Sequence, residues 1–365
     1  MANGGLSKLY ESQGQSLWLD NLSRELLHGG KLATYVRDYG IRGVTSNPTI
    51  FQKAIAGSED YQADIRRLKG EYDDIEVVYE HLVLEDIRQA CDMLRPIYDQ
   101  SHGEDGWVSW EESPGIAHNA TASVAAAERL RAMADRPNLL IKIPCTKEGL
   151  EAFEQLIGRG VSVNLTLMFS LRHVREAFAA YKRGLTALKA SGGAVSRVRA
   201  VASLFLSRVD TLVDKKLTEI GTEEALALRG KAAVAMARQA YRIYEEAFKG
   251  EDFEDMRQHG ARGQYLLWAS TGTKNPEYSD LLYVENLIAP ETINTVPNKT
   301  LEAFADHGSI HSSLKPGMEE SDAVWAALER LGIDMDGEIG EQLQDEGVDS
   351  FQKSFDDLLE EVRRV

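Results

Sequence analysis

Cysteine is nearly absent, with only Cys91 and Cys145 in 365 residues. Two distant thiols make neither a disulfide framework nor a metal-ligand spacing, which excludes the small stapled secreted class and a structural zinc site. Positive charge is scarce as well. Against 58 Asp and Glu stand 41 Lys and Arg, a formal net charge of −17. Nucleic acid and anionic membrane would both be repelled, and an anionic substrate would need local positive charge set against this field. Long apolar runs are missing, so no segment suits a bilayer span. The opening Met-Ala-Asn-Gly-Gly-Leu-Ser-Lys lacks the basic-then-apolar layout of a secretory signal. The expected location is cytoplasmic, and the Asn-x-Ser/Thr sequons at Asn21, Asn119, Asn164 and Asn298 are expected to be chance matches. No Gly-x-Gly-x-x-Gly follows the first strand pattern. Gly30-Lys31-Leu32 and Gly230-Lys231-Ala232 lack the hydroxyl that completes a phosphate loop.

What is present is an ordinary globular composition, 43% hydrophobic and 27% charged, able to build a sizeable core. Eight short apolar or alternating runs read as strands: Ser16–Leu22, Ile41–Ser46, Gly106–Trp110, Leu139–Pro144, Val161–Phe169, Arg197–Phe205, Gln264–Thr271 and Thr292–Val296. Helical patterns lie between them, at Ala122–Ala134, Leu171–Lys189, Ser207–Glu219, Glu223–Phe248 and Leu281–Ile288. Alternating strands and helices imply parallel pairing with right-handed crossovers. Eight units favour a closed (β/α)₈ barrel over an open doubly wound sheet. The stretch Phe51–Gln100 is long for one crossover and should hold several helices. After about Leu301 the chain turns helical and acidic, as in Glu319–Leu331 and Phe351–Val365. Residues 1–310 are therefore read as the barrel and 311–365 as a helical extension packed on it, a separate small domain being the alternative.

Lys142 stands in the run Leu139-Leu140-Ile141-Lys142-Ile143-Pro144, where every neighbour is apolar. Leu140, Lys142 and Pro144 share one face, because strand side chains alternate. Burial would lower the lysine's pKa toward neutrality, and a partly unprotonated amine can attack a ketone to give a Schiff base. An edge-strand or snorkelling lysine is the alternative.

In barrels of this kind catalytic groups come from the C-terminal strand ends. Those ends offer Asp20, Asn47, Glu111, Lys142, Asn164, Thr166, Ser203, Arg208, Ser270 and Lys274. Each has a plainer reading. Asp20 could cap the helix starting near Ser23. Asn47, before Pro48, could order a turn. Glu111 and Glu112 should point oppositely, so at least one is expected to face solvent. Asn164 and Thr166 share a face, which also suits cross-strand pairing. Arg208 could pair with Asp210 or Asp214. Cys145 is a reactive thiol or, more simply, a small buried residue.

Two metal-like patterns fail on spacing. Asp334-Met335-Asp336-Gly337 places its glycine two positions early for a calcium loop. His307 and His311 stand four apart, but no third ligand accompanies them.

At this point the chain resembles a family. Gly43-Val44-Thr45-Ser46-Asn47-Pro48-Thr49-Ile50-Phe51 is similar to the first signature of the transaldolases. Leu140-Ile141-Lys142-Ile143-Pro144-Cys145-Thr146-Lys147-Glu148-Gly149-Leu150 is similar to their Schiff-base signature. Ser16-Leu17-Trp18-Leu19-Asp20, Asn164-Leu165-Thr166-Leu167-Met168-Phe169-Ser170, and Ser203-Leu204-Phe205 with Arg208 match in order, over roughly residues 10 to 310.

The resemblance implies a class I aldolase-like barrel of circularly shifted strand order, with Lys142 on the fourth strand forming the Schiff base. It implies that Asp20 is the acid/base at the C4 hydroxyl, and that Glu111 works through a water held by Thr166. Asn47 and Asn164 would bind the dihydroxyacetone hydroxyls, and Ser203 and Arg208 the phosphate. One departure stands out. Where the family often has Ala-Ser-x-Arg, this chain reads Ala269-Ser270-Thr271-Gly272-Thr273-Lys274-Asn275. A lysine binds phosphate as a point charge, without the bidentate fork.

The implied activity is transfer of a dihydroxyacetone unit from sedoheptulose 7-phosphate to glyceraldehyde 3-phosphate in the pentose phosphate pathway, with no metal or organic cofactor. A fructose 6-phosphate aldolase of the same superfamily is the rival, although such relatives tend to carry Gln and Tyr where this chain has Glu111 and Phe205. A non-catalytic sugar-phosphate-binding barrel is the rival from another class. Expected partners are sugar phosphates, with neither nucleic acid nor membrane, and a homodimer is the assembly considered.

Overall fold

The computed structural model describes residues 5–365. Eight strands close into one barrel: β1 (Gln15–Asp20), β2 (Ile41–Thr45), β3 (Val108–Glu111), β4 (Leu139–Pro144), β5 (Val163–Met168), β6 (Ala200–Phe205), β7 (Tyr265–Ala269) and β8 (Thr292–Val296). All pairings are parallel, and β1 closes on β8. Every expected strand is present, Leu139–Pro144 and Thr292–Val296 with the expected bounds and the others shifted by up to a few residues at their ends. β4, β5 and β6 are buried along their whole length. A barrel strand has an interior and a helix layer on its two sides, so its sequence reads as a continuous apolar run.

Close packing inside the barrel explains one glycine of the first signature. Gly43 is the register partner of Trp18, and a Cβ at Gly43 would fall 2.4 Å from the Trp18 ring. Only hydrogen fits there.

The helices differ from the sequence reading in three places. Glu223–Phe248 is not one helix but two, Glu223–Leu226 and Ala232–Lys249. The chain between them includes Gly230 at φ 72°, a conformation that stops a helix. Leu281–Ile288 shrinks to Leu282–Glu285. The terminal helix begins at Gly340, well before Phe351, and runs to Arg364. Its glycines and acids masked the pattern. As expected, Phe51–Gln100 falls within several helices, Pro48–Ile55, Glu59–Lys69 and Ile75–Gln100.

The last helices lie on the barrel. Met318–Arg330 packs on Ala232–Lys249, where Arg242 Nη2 sits 2.9 Å from Asp322 Oδ2. The terminal helix crosses the barrel end beside Pro48–Ile55 and β5. Gly340 and Gly347 permit the approach, since a Cβ would lie 2.7 Å from Ser170 Cβ and 3.1 Å from Leu167 Cδ2 respectively. On the same helical face, Gln344 Nε2 donates to the carbonyls of Cys145 (2.7 Å) and Leu167 (3.2 Å). Leu167 has φ 56° and interrupts the β5–β6 register, a bulge that frees its carbonyl for this bond. No described helix is long and apolar enough to cross a membrane.

Candidate active site

Parallel register sets the site. Glu111 is the partner of Lys142 across β3–β4, Lys142 of Asn164 across β4–β5, and Asp20 of Thr45 across β1–β2. Because successive strands are staggered only slightly, polar residues near strand ends collect at one mouth.

Lys142 is 3% exposed, and in a closed barrel its strand has no edge. Its Nζ lies 3.0 Å from Glu111 Oε2 and donates to the Ser46 carbonyl at 3.2 Å. The amine is therefore buried with a carboxylate beside it. Burial raises the pKa of Glu111, and the charge and hydrogen bond of Lys142 oppose that rise.

Asp20 does not cap the following helix; Ser23 does, accepting from Leu26 N at 3.2 Å. Asp20 Oδ1 instead accepts from Thr45 Oγ1 at 2.7 Å, and Thr45 is 2.7 Å from Thr295 Oγ1. Burial pushes the Asp20 pKa up, while Lys142, the Thr45 bond and Lys274 pull it back.

The neighbouring pair behaves differently from expectation. Glu112 is as buried as Glu111, although one of the two was expected at the surface. The strand's outer face meets the helix Ala120–Ala134 and not water, and Ser123 Oγ donates to Glu112 Oε1 at 2.8 Å. Desolvation lifts the Glu112 pKa to about 8.

A cavity of about 360 Å³ opens between these groups. Asp20, Asn47, Lys142, Thr166, Ser203, Phe205, Arg208, Ser270 and Lys274 all line it. Glu111 and Asn164 sit behind the lining. Glu111 touches Lys142, whereas Asn164 Oδ1 accepts from Ser203 Oγ at 2.7 Å and its Nδ2 donates to Ser109 Oγ at 3.1 Å. Asn47 caps Pro48–Ile55 by accepting from Ile50 N, so the turn reading and the wall position both hold. Thr166 Oγ1 is buried with no hydrogen-bond partner among the described residues. Ser270, at φ 53°, shares a 2.8 Å contact with Ser207 Oγ, and the Phe205 ring packs tilted against Phe169 with centroids 5.2 Å apart.

Arg208 pairs with neither Asp210 nor Asp214. Those carboxylates accept from Tyr283 Oη (2.7 Å) and Tyr278 Oη (2.6 Å). Burial pulls the Arg208 pKa down and Glu346 partly restores it. Arg208, Lys274 and Lys53 line the cavity with no carboxylate in ion-pair contact among the described residues. This is the local positive charge that the −17 background demands of an anion site.

Sequence reasoning missed four contributors. Thr45 is the last residue of β2 and Thr295 the last but one of β8, and both could have been read from those ends. Lys53 follows Asn47 by less than two turns on one helix. Phe351 had no sequence signal: it comes from the terminal helix, its ring 5.7 Å from Lys142 Nζ and 5.9 Å from Arg208 Cζ. Elsewhere, Asp334 caps a turn by accepting from Gly337 N at 2.8 Å, and His307 contacts Asp280 and Asp306. No cluster of three or more metal-ligating side chains occurs among the described residues. Cys91 and Cys145 are buried and unpaired, with both thiol pKa values raised by desolvation.

Fold and site together define a parallel (β/α)₈-barrel enzyme whose mouth gathers an amine, two carboxyls and free cations around one cavity. The sequence profile described as Transaldolase/Fructose-6-phosphate aldolase matches residues 17–362, which carries the likeness through the terminal helix. A transaldolase of Thiobacillus denitrificans is 53% identical over 349 residues, covering 96% of this chain and 97% of that protein. Transaldolase 1 of Streptomyces avermitilis is 46% identical, covering 96% and 93%, and a transaldolase of Mycolicibacterium smegmatis is 46% identical, covering 95% and 94%. The chain belongs to the transaldolase family.

Proposed function

We propose that the protein moves a dihydroxyacetone unit from sedoheptulose 7-phosphate to glyceraldehyde 3-phosphate, giving erythrose 4-phosphate and fructose 6-phosphate. The observation that carries this is the buried Lys142–Glu111 contact of 3.0 Å beside a cavity edged by Arg208, Lys274 and Lys53, which pair with no carboxylate among the described residues. An amine that passes its proton to an adjacent carboxylate becomes a nucleophile toward the donor ketone. Lys142 Nζ bonds to the carbonyl carbon, and the carbinolamine loses water as Glu111 shuttles the protons. Thr166 Oγ1, with no hydrogen-bond partner among the described residues, is free to hold that water. Asp20 takes the C4-hydroxyl proton, the C3–C4 bond breaks, and its electron pair passes into the iminium to form an enamine. An acceptor aldehyde then enters and every step reverses. A carboxyl with a raised pKa suits this two-way proton traffic.

Arg208, with Lys274 as a point charge, binds the phosphate, while Asn47 and Ser203 meet the hydroxyls. Asn164 acts by holding Ser203. The terminal helix, within 311–365, completes the site and keeps water from the enamine. Glu111 and Phe205 support transfer over release of free dihydroxyacetone, in keeping with relatives that are named transaldolases. A cytoplasmic location fits the two free cysteines. Borohydride reduction in the presence of fructose 6-phosphate tests the reading. The expected label is a reduced three-carbon or sugar-phosphate adduct on the peptide containing Lys142. Label on Lys147 or Lys274, with Lys142→Arg still active, would overturn it.

A further inference from the structure

A second cavity, about 620 Å³, lies at the other end of the barrel. Leu139 opens β4, Ser162 precedes β5 and Arg199 precedes β6, and all three line it. Six-residue strands rise by roughly 3.3 Å per residue, so this end is separated from the catalytic mouth by on the order of 15–20 Å.

Five arginines border the cavity in a chain whose net charge is −17. Two are neutralised: Arg136 Nε is 2.6 Å from Asp92 Oδ1, and Arg159 Nη1 is 2.8 Å from Glu128 Oε1. Arg131, Arg197 and Arg199 have no carboxylate within ion-pair distance among the described residues. Arg199 is the informative one, being only 8% exposed. Its Nε donates to the Gly103 carbonyl at 3.0 Å, and its Nη1 to the carbonyls of Val198 (3.0 Å) and Ser196 (3.3 Å). These bonds fix the guanidinium's direction without cancelling its charge. Burial and the nearby Arg262 both disfavour the Arg199 charge, and Glu104, itself paired with Arg262 at 2.6 Å, offsets them only in part.

A buried charge with no counter-ion in contact is costly, and buried Arg199 beside exposed Arg131 and Arg197 forms an unbalanced positive site. Guanidinium forks match the paired oxygens of phosphate groups. A monoanion would leave most of this charge unanswered, whereas an ion with two or more phosphate charges would balance it. We propose that this cavity is a second anion site, taking a small molecule that carries two or more phosphate-type charges. It does not depend on the assignment of the mouth.

The test uses inorganic pyrophosphate in isothermal titrations of the wild type, of Arg208→Ala, and of the double variant Arg131→Ser/Arg197→Ser. Both substituted arginines of the double variant are exposed, so the fold should persist. Wild type and Arg208→Ala should bind at this site alike. The double variant should bind there at least about tenfold more weakly, with transfer activity in the absence of pyrophosphate unchanged. Raising salt from about 50 to about 200 mM should weaken wild-type binding. Identical titrations of wild type and double variant, whether both bind or neither does, would overturn the site. So would complete loss of binding in Arg208→Ala alone.

Discussion

The ring of Phe351 lies 5.7 Å from Nζ of Lys142, joining the last helix of the chain to the amine on β4. The same ring is 5.9 Å from Arg208 Cζ, so one aromatic face borders both the reacting amine and the cation at the mouth. Gly340, Gln344 and Gly347 bring the helix close enough for this contact. If the ring shields an enamine, shrinking it should let water compete with the aldehyde acceptor. With fructose 6-phosphate alone, Phe351→Leu should release free dihydroxyacetone several-fold faster than the wild type. Phe351→Ala should do so more strongly, with about 3–5 kcal/mol lost in stability. Wild-type release rates in a folded Phe351→Leu would show that the helix is only a brace.

Asp20 is not needed as a helix cap, since Ser23 fills that role and, among the described residues, the Asp20 carboxylate accepts only from Thr45 Oγ1. Asp20→Asn retains the shape and an acceptor for Thr45 but cannot take a proton. Turnover should fall by at least about a hundredfold, the scale of losing a general acid/base, with the melting temperature nearly unchanged. Normal turnover in a folded Asp20→Asn would remove it from the chemistry.

Arg208 and Lys53 divide the question of where phosphate binds. Arg208→Ala should raise KM for phosphorylated donors well above any change with unphosphorylated fructose or dihydroxyacetone. Lys53→Ala should have the same signature at smaller amplitude, because a lysine offers one strongly hydrated point charge and no fork. Equal losses on charged and uncharged substrates would assign both residues to the fold or the chemistry.

The strands and Lys142 were legible because their signals are local: apolar runs of fixed length, and one charge inside such a run. The strand-end rule likewise reached Asp20, Glu111, Ser203 and Arg208. It failed where geometry is not local. Phe351 is delivered by a helix whose glycines weaken its apparent pattern, yet those glycines exist to let it approach Ser170 and Leu167. For Asn164 the sequence indicated only a strand-end position; that its amide bonds Ser203 and Ser109 from behind the cavity lining is visible only in the assembled barrel. Glu112 was misplaced because alternation was taken to end in water, whereas in this barrel the outer face ends against Ser123.

That misplacement makes Glu112 the best probe of stability against pH. Its folded pKa is about 8 and its ordinary value 4.5, so across that interval the folded chain binds the extra proton. The stability contributed by this group then falls as pH rises from about 4.5 to about 8, and levels off above. The slope contributed by this one group is on the order of 1 kcal/mol per pH unit at most. Glu112→Gln keeps the Ser123 bond and removes the titration. The variant should match the wild type near pH 4.5 and exceed it progressively toward pH 8, read as a widening gap in denaturant midpoint. A constant gap across that window would mean that Glu112 ionises in the folded chain as it does in the unfolded one, with its charge met by a partner other than Ser123.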